Sequence, residues 1–220
     1  MAPLQHPKLG SLALRLAFVL PLLLVAAQGW GDVYGQFWLP WYRVVLNGVL
    51  PDYQVTSLAL ASHHGERQVI AQFLATDYQD IAGRLLPPGF SVKASTLLDH
   101  ALIHPLILLA AALAWPGLSW RQRLLRLLLS LPLLGLLESL DVPLSLAGAI
   151  SDVVTWQASQ GFAPASVLTD WSVMLDGGGR LALSLAAAVV CAVLQGWLQF
   201  RLGAAGSSAN LRRASGTDTG

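Results

Sequence analysis

The chain has 220 residues, of which 55% are hydrophobic and 11% are charged, and its formal net charge is +1. A soluble globular domain carries about 25% charged residues, so this composition excludes an ordinary water-soluble domain and predicts an α-helical integral membrane protein. The near-zero net charge gives no reason to expect a nucleic-acid partner. The single cysteine, Cys191, excludes an intramolecular disulfide and a Cys/His zinc motif, and is interpreted as a packing residue.

The first predicted element is a signal anchor within residues 1–30, where a weakly basic leader precedes an apolar run at 16–27. This stretch is long enough to span the hydrocarbon core if Arg15 extends toward the cytosolic surface. A signal peptide cleaved after Ala27 is the competing interpretation, because small residues lead up to that position. In both cases we expect the segment at 31–95 to be extracytoplasmic.

This first extracytoplasmic segment is predicted to contain a helix and a β-hairpin. Aromatic residues at helical spacing over 33–50 indicate an interfacial helix or a continuation of the first span, bent at a proline. Runs with partial alternation at 55–62 and 68–75 flank a turn at 63–66, which predicts the hairpin. Residues 90–94 are a candidate third strand.

Residues 96–141 are predicted to form a transmembrane helical hairpin around a short basic loop at 116–123. Thr96 and Asp99 fit a capping box at the start of its first helix. Short basic loops flanked by tryptophan stay in the cytosol, so the far ends of both helices should lie at the outer face.

A second extracytoplasmic segment is predicted at 142–179, with an apolar run too short to span and a short amphipathic helix at 166–175. The last span is predicted at 180–201, and a disordered cytosolic tail at 202–220. Small residues at intervals of four mark one face of this span, which favours close packing of another helix. The residues of this small-residue face are Ser184, Ala188, Ala192 and Gly196.

The charge distribution predicts a four-span helical bundle with both termini in the cytosol. The stretches assigned to the cytosol, 1–15, 116–126 and 201–220, hold eight basic residues and one acid, whereas the rest of the chain is net acidic. Abundant Leu, Ala, Gly and Arg beside only two Lys are typical of a GC-rich bacterial genome. We therefore expect a multi-pass protein of the bacterial inner membrane, capped by a small, partly β extracytoplasmic part.

Ionisable residues collect at the outer ends of the hairpin helices. At 1.5 Å per residue, His100 and Glu138 each lie about 22 Å from the cytosolic ends of their helices, level with each other. His104 is one turn deeper, Asp141 shares a face with Glu138, and Arg180 opens the last span near the same level. These five residues are the catalytic candidates.

Four interpretations of this cluster are open. The groups form a solvated or ion-paired collar that orients the helices, or His100, His104 and Glu138 bind a metal. Alternatively, the cluster relays protons or ions, or Glu138 or a histidine acts as an acid–base catalyst.

The function favoured by the sequence is that of an accessory or scaffold subunit of an envelope, export or surface-protein-processing complex. A nucleophile elbow, a Ser/Lys dyad and an intramembrane aspartyl motif are all missing from the sequence, and no cofactor is expected. The expected partners are the lipid bilayer and another membrane protein. The layout resembles that of small membrane proteins that accompany exosortase systems, a resemblance that no motif carries. A membrane enzyme with a His/carboxylate metal site and a small transporter are the alternatives.

Overall fold

The computed structural model describes residues 9–63, 65–81, 84–159 and 166–215, which are mostly helical. In chain order the elements are α1 (Leu9–Val49), β1 (Tyr53–His63), β2 (Glu66–Ala75), β3 (Gln79–Ile81), β4 (Arg84–Leu86), β5 (Ser91–Leu97), α2 (Leu98–Ala114), α3 (Trp120–Leu140), α4 (Val142–Ser159), α5 (Val167–Met174) and α6 (Arg180–Ser215). A π-helical segment, Leu175–Gly179, joins α5 to α6.

Three helical stretches within the described residues are long and apolar enough to cross a membrane, namely Gly10–Val49, Trp120–Trp156 and Val167–Arg201. These three stretches confirm the prediction of an α-helical membrane protein. The apolar helix α2 has 17 residues, so its length is about 26 Å against roughly 30 Å of hydrocarbon. A fourth span through α2 stays a prediction.

The first helix is longer than predicted. α1 is one continuous helix of 41 residues with Pro21 and Pro40 in its interior. Of the two interpretations of 33–50, the continuation of the first helix is therefore confirmed and the separate interfacial helix is wrong; the predicted boundary at residue 30 falls in mid-helix. Each proline removes one backbone hydrogen bond but does not end the helix, as is common in membrane helices, where neighbouring helices or Ser/Thr side chains can satisfy the freed backbone group.

The predicted hairpin and third strand are both present. β1, β2 and β5 form an antiparallel sheet in the order β1–β2–β5. His63 pairs with Glu66, and Gly65 takes a positive φ of 84° in the turn between them. The short β3–β4 hairpin was not predicted, because strands of three residues are too short to show alternation.

The main core lies where the inner face of the sheet meets α1, α2 and α4. Tyr42 and Phe73 are its largest members, and both are completely buried. Full burial of one such side chain contributes about 1.5–3 kcal/mol. The buried members of this core are Tyr42, Leu46, Val55, Val69, Ala71, Phe73, Val92, Ala94, Leu98, Ala101, Leu102, Val142, Leu146, Ile150 and Val154. A smaller cluster that includes Cys191 joins α2, α3 and α6.

The capping box predicted at Thr96 and Asp99 is wrong. α2 starts directly after β5, and its N-cap residue, Leu97, makes no side-chain capping bond. Thr96 belongs to β5 and pairs with Val69 in the sheet. Asp99 instead accepts a 2.8 Å hydrogen bond from Nη2 of Arg67. The backbone of Thr96 is thus used in sheet pairing, and the carboxylate of Asp99 is used in a long-range ion pair with Arg67.

Arg67 fastens the sheet to two helices at once. From β2, its guanidinium binds Asp99 on α2, and its Nη1 lies 3.5 Å and 3.4 Å from the carbonyl oxygens of Ala27 and Gln28 on α1. A capping box does occur elsewhere, at the start of α3, where Ser119 and Gln122 each bond the other's backbone. The second half of the loop predicted at 116–123 therefore forms the N-cap and the first turn of α3.

The apolar run predicted at 142–150 is a kinked extension of the third span. Asp141 breaks the helix with φ −92° and ψ −84°, and α4 continues from Val142. The short helix expected at 166–175 is α5, capped by the Ser166 side chain. The tail expected to be disordered from residue 202 instead continues α6 as far as Ser215, consistent with its helix-favouring Ala, Leu and Arg residues. The predicted tail also included 216–220, which lie outside the described residues.

Candidate functional site

Asp141 is the centre of a buried polar network that joins three helical stretches. Its side chain is 1% exposed. Both carboxylate oxygens accept hydrogen bonds from Nε of Arg180, at 2.8 Å and 2.9 Å, and Oδ2 lies 3.0 Å from Nε2 of His104. Because Asp141 sits at the kink between α3 and α4, these bonds tie that kink to α2 and to the start of α6.

Arg180 uses its remaining nitrogens within the same network. Its Nη1 donates to the carboxylate of Asp176, and its Nη2 lies 3.3 Å from the hydroxyl of Ser145. The guanidinium is almost fully buried. A buried charge is tolerated when it is paired and hydrogen-bonded, and two carboxylates provide that here.

Ser184, His104 and Asp141 stand in the order of a Ser–His–Asp relay. The Ser184 hydroxyl lies 2.8 Å from Nδ1 of His104 and 2.8 Å from the carbonyl oxygen of Arg180. Which atom donates in the contacts of the His104 ring depends on the tautomer of the imidazole. However, Ser184 and His104 are both fully buried. This arrangement presents no nucleophile to a substrate, and it holds the helices together.

Glu138 belongs to a separate contact between α1 and α3. It is fully buried, and its two carboxylate oxygens accept hydrogen bonds from the hydroxyls of Tyr34 and Tyr42. Next to this contact, Nε1 of Trp41 donates a hydrogen bond to the hydroxyl of Ser139 at 2.8 Å. Glu138 therefore anchors the aromatic half of α1 to the third helix.

The five predicted site residues are thus divided among three places. His104, Asp141 and Arg180 meet in the network, Glu138 is held by tyrosines, and His100 lines a cavity. The metal site at His100, His104 and Glu138 stays a prediction, and both ring nitrogens of His104 and both oxygens of Glu138 have hydrogen-bond partners within the protein. Across the described ranges, no group of three or more His, Cys, Asp or Glu residues is arranged to hold a metal ion.

The cavity beside the network has a volume of about 270 Å³. It opens between the end of β5, α4, α5 and the first residues of α2 and α6. Nδ1 of His100 is buried without a hydrogen-bond partner and lies 4.0 Å from Oδ1 of Asp176. The lining residues are Gln68, Ser95, Thr96, Leu97, His100, Ser145, Ala149, Asp152, Ser172, Asp176 and Arg180. Such a lining can bind a small polar group.

The small-residue face of α6 is only partly buried within this chain. Ser184 is fully buried, but Gly196 is exposed and has no atom within 4 Å of the position where a Cβ would be. Residues four apart drift around a helix of 3.6 residues per turn, by about 40° at each step. The face therefore turns from the protein interior at Ser184 toward the outside at Gly196.

Several buried polar contacts outside the Asp141 network were not predicted from the sequence. Tyr34 and Tyr42 are eight residues apart, two turns on one face, and that spacing could have suggested a shared partner. A second buried pair, near the basic loop, was also missed: Nε of Arg126 donates to Gln195 at 2.7 Å. Nε2 of Gln195 in turn donates to the carbonyl oxygen of Gln122 at 2.9 Å.

Comparisons with protein-family models, with curated proteins and with solved structures each found no match. The class of protein therefore rests on the fold itself. With three helices long and apolar enough to span a bilayer, the chain is a multi-pass helical membrane protein.

Proposed function

We propose that the chain is a scaffold or accessory subunit of an envelope complex in the bacterial inner membrane, one that exports or processes surface proteins. One observation carries this proposal: three of the ionisable groups at the outer ends of the hairpin helices, His104, Glu138 and Asp141, have their hydrogen-bond partners within the protein. His104, Glu138 and Asp141 are at most 1% exposed, and each is hydrogen-bonded to groups on other helices. Groups held in this way position helices, whereas catalytic groups must reach a substrate.

The proposed topology has four spans, with α2 as the fourth, the sheet outside the cytosol and both termini inside. Arg121 and Arg123, in the first turn of α3, support a cytosolic position of the α2–α3 connection by the positive-inside rule. At the end of α2, Arg123 donates to the carbonyls of Leu113 and Trp115, so backbone groups that would face the membrane interface are satisfied.

Exposed apolar surface supports an association within the membrane. Large side chains on the first half of α1 point away from the protein, with Phe18 72% and Leu22 70% exposed. Lipid accounts for such a surface in the free protein, and a partner helix can replace the lipid there. The bilayer and a second membrane protein are therefore the proposed partners.

Co-purification from native membranes tests this proposal. The full chain, tagged at its C-terminus and extracted in mild detergent, should retain a membrane protein in a fixed ratio. Asp52→Asn should retain the same protein, because Asp52 is exposed and lies outside both the buried network and the cavity. Recovery of the chain alone from native membranes would contradict the scaffold role. A stoichiometric metal lost in His104→Ala would favour the metalloenzyme alternative, and proton flux into proteoliposomes would favour the transporter.

A further inference from the structure

We propose that the cavity beside β5 binds an extended peptide segment of the partner through a lysine ammonium group. This inference rests on the proposed function, because the partner supplies the peptide. It extends that function by assigning the chemistry of the contact to residues on the sheet side of the helices.

The sheet presents an edge at this cavity. β5 is the last strand in the order β1–β2–β5, so within the described residues it has a strand neighbour on one side only. Ser95, Thr96 and Leu97, at the end of this strand, line the cavity. An extended peptide can add to such an edge by main-chain hydrogen bonds, while a neighbouring pocket selects one of its side chains.

The pocket wall provides acceptors at the spacing that one ammonium group needs. Nδ1 of His100 has no hydrogen-bond partner and lies 4.0 Å from Oδ1 of Asp176. A single donor nitrogen can lie about 2.9 Å from both atoms at once. A lysine ammonium has three donors and no acceptor, so it can donate to the unpartnered imidazole nitrogen and also to Oδ1 of Asp176, which already accepts from Nη1 of Arg180.

The charge of the wall favours a cation over an anion. Asp152 and Asp176 contribute two carboxylates, and both are exposed. The one guanidinium at the wall, that of Arg180, is already paired with Asp141 and Asp176. An anionic ligand would meet the carboxylates without a free cation to bind it.

The size of the cavity fits a side chain better than a cofactor. Its volume of about 270 Å³ is below the roughly 300–1,000 Å³ of pockets that enclose drug-sized ligands. One long side chain and its flanking backbone fill such a space, and the rest of the peptide lies along the strand.

Peptide binding to the full chain in phosphatidylcholine nanodiscs tests the proposal. The probe is the acetylated and amidated pentapeptide Thr-Val-Lys-Val-Thr, and its control replaces the lysine by norleucine, which keeps the length and removes the charge. The lysine peptide should bind about tenfold or more tightly than the control, as expected for a charged hydrogen-bonded group. Asp176→Asn and His100→Ala should each remove most of this preference. Asp52→Asn, which changes an exposed acid next to the start of β1 at the opposite end of the sheet, should retain it.

Two results would overturn the inference. Equal binding of the lysine and norleucine peptides would show that no ammonium site exists. In a second set of nanodiscs that also contain phosphatidylethanolamine, binding of that lipid but of no peptide would assign the cavity to a lipid headgroup. Either result leaves the co-purified partner in place, so failure of this inference is distinguishable from failure of the scaffold role.

Discussion

Nε of Arg180 lies within 2.9 Å of both carboxylate oxygens of Asp141, so one nitrogen on α6 fixes the kink between α3 and α4. Removing one partner of a buried ion pair leaves the other charge uncompensated, which costs about 3–5 kcal/mol. We expect Arg180→Met to lower the free energy of unfolding in detergent by this amount. Arg121→Met, at an exposed position, should change it by less than about 0.5 kcal/mol. Equal unfolding midpoints for the two variants would show that the pair does not stabilise the fold.

The two tyrosines that bind Glu138 should contribute together. Tyr42→Phe removes one hydrogen bond to a buried carboxylate and should destabilise the protein by about 1.5–3 kcal/mol. Tyr34→Phe should act in the same direction, and Glu138→Ala should exceed either change because it leaves both hydroxyls unpaired. Chemical unfolding followed by tryptophan fluorescence measures these effects. If Glu138→Ala matched an exposed control such as Asp52→Ala, the proposed anchor between α1 and α3 would be refuted.

Ser184 should be unreactive despite its place beside His104 and Asp141. Because its side chain is fully buried, we expect no labelling by a fluorophosphonate probe in intact membranes. A serine hydrolase added to the same membranes is the positive control. Labelling that disappears in Ser184→Ala would instead identify a serine nucleophile and support the enzyme alternative.

Gly196 tests whether α6 packs on a partner helix. Nothing in the described structure lies within 4 Å of a Cβ at this position, so Gly196→Leu should leave the free energy of unfolding nearly unchanged. It should, however, reduce crosslinking and co-purification of the partner severalfold, since close helix approach needs small residues. Gly29→Leu, at an equally open position on α1, is the matched control. Equal loss in both variants would remove the special role of the α6 face.

The four-span topology predicts which positions a membrane-impermeant maleimide reaches. Cys191 is 1% exposed and should not be labelled, so Cys191→Ala provides a background without thiols. In that background, Ser57→Cys on β1 should be labelled from outside intact spheroplasts. Trp120→Cys in the α2–α3 loop should be labelled only after the membrane is opened. The reverse pattern would invert the orientation, and labelling of both positions from one side would exclude α2 as a span.

Features that depend on local pattern could be predicted from the sequence. Alternation placed β1 and β2, and long apolar runs placed the helices. The contacts that define the site could not be predicted, because they join residues such as Tyr34 and Glu138, which are 104 positions apart. Counting residues placed His100 and Glu138 at one depth, but the side of each helix that faces a neighbour decides which groups meet. The capping box at Thr96 failed for a related reason: sheet pairing outweighed a local hydrogen bond.

The length of α1 determines how far the protein reaches beyond the membrane. Its 41 residues give a rod of about 62 Å, roughly twice the thickness of the hydrocarbon core. Enclosing all of it would need a tilt of about 60°, whereas transmembrane helices tilt by at most about 40°. Part of α1 must therefore extend beyond the hydrocarbon core of the bilayer. Tyr42 and Leu46 pack in the same core as the sheet, so in the proposed topology the protruding end of α1 holds the sheet and its cavity at the outer surface of the membrane. In that topology, the length of α1 sets the height above the bilayer at which the proposed partner's peptide segment binds.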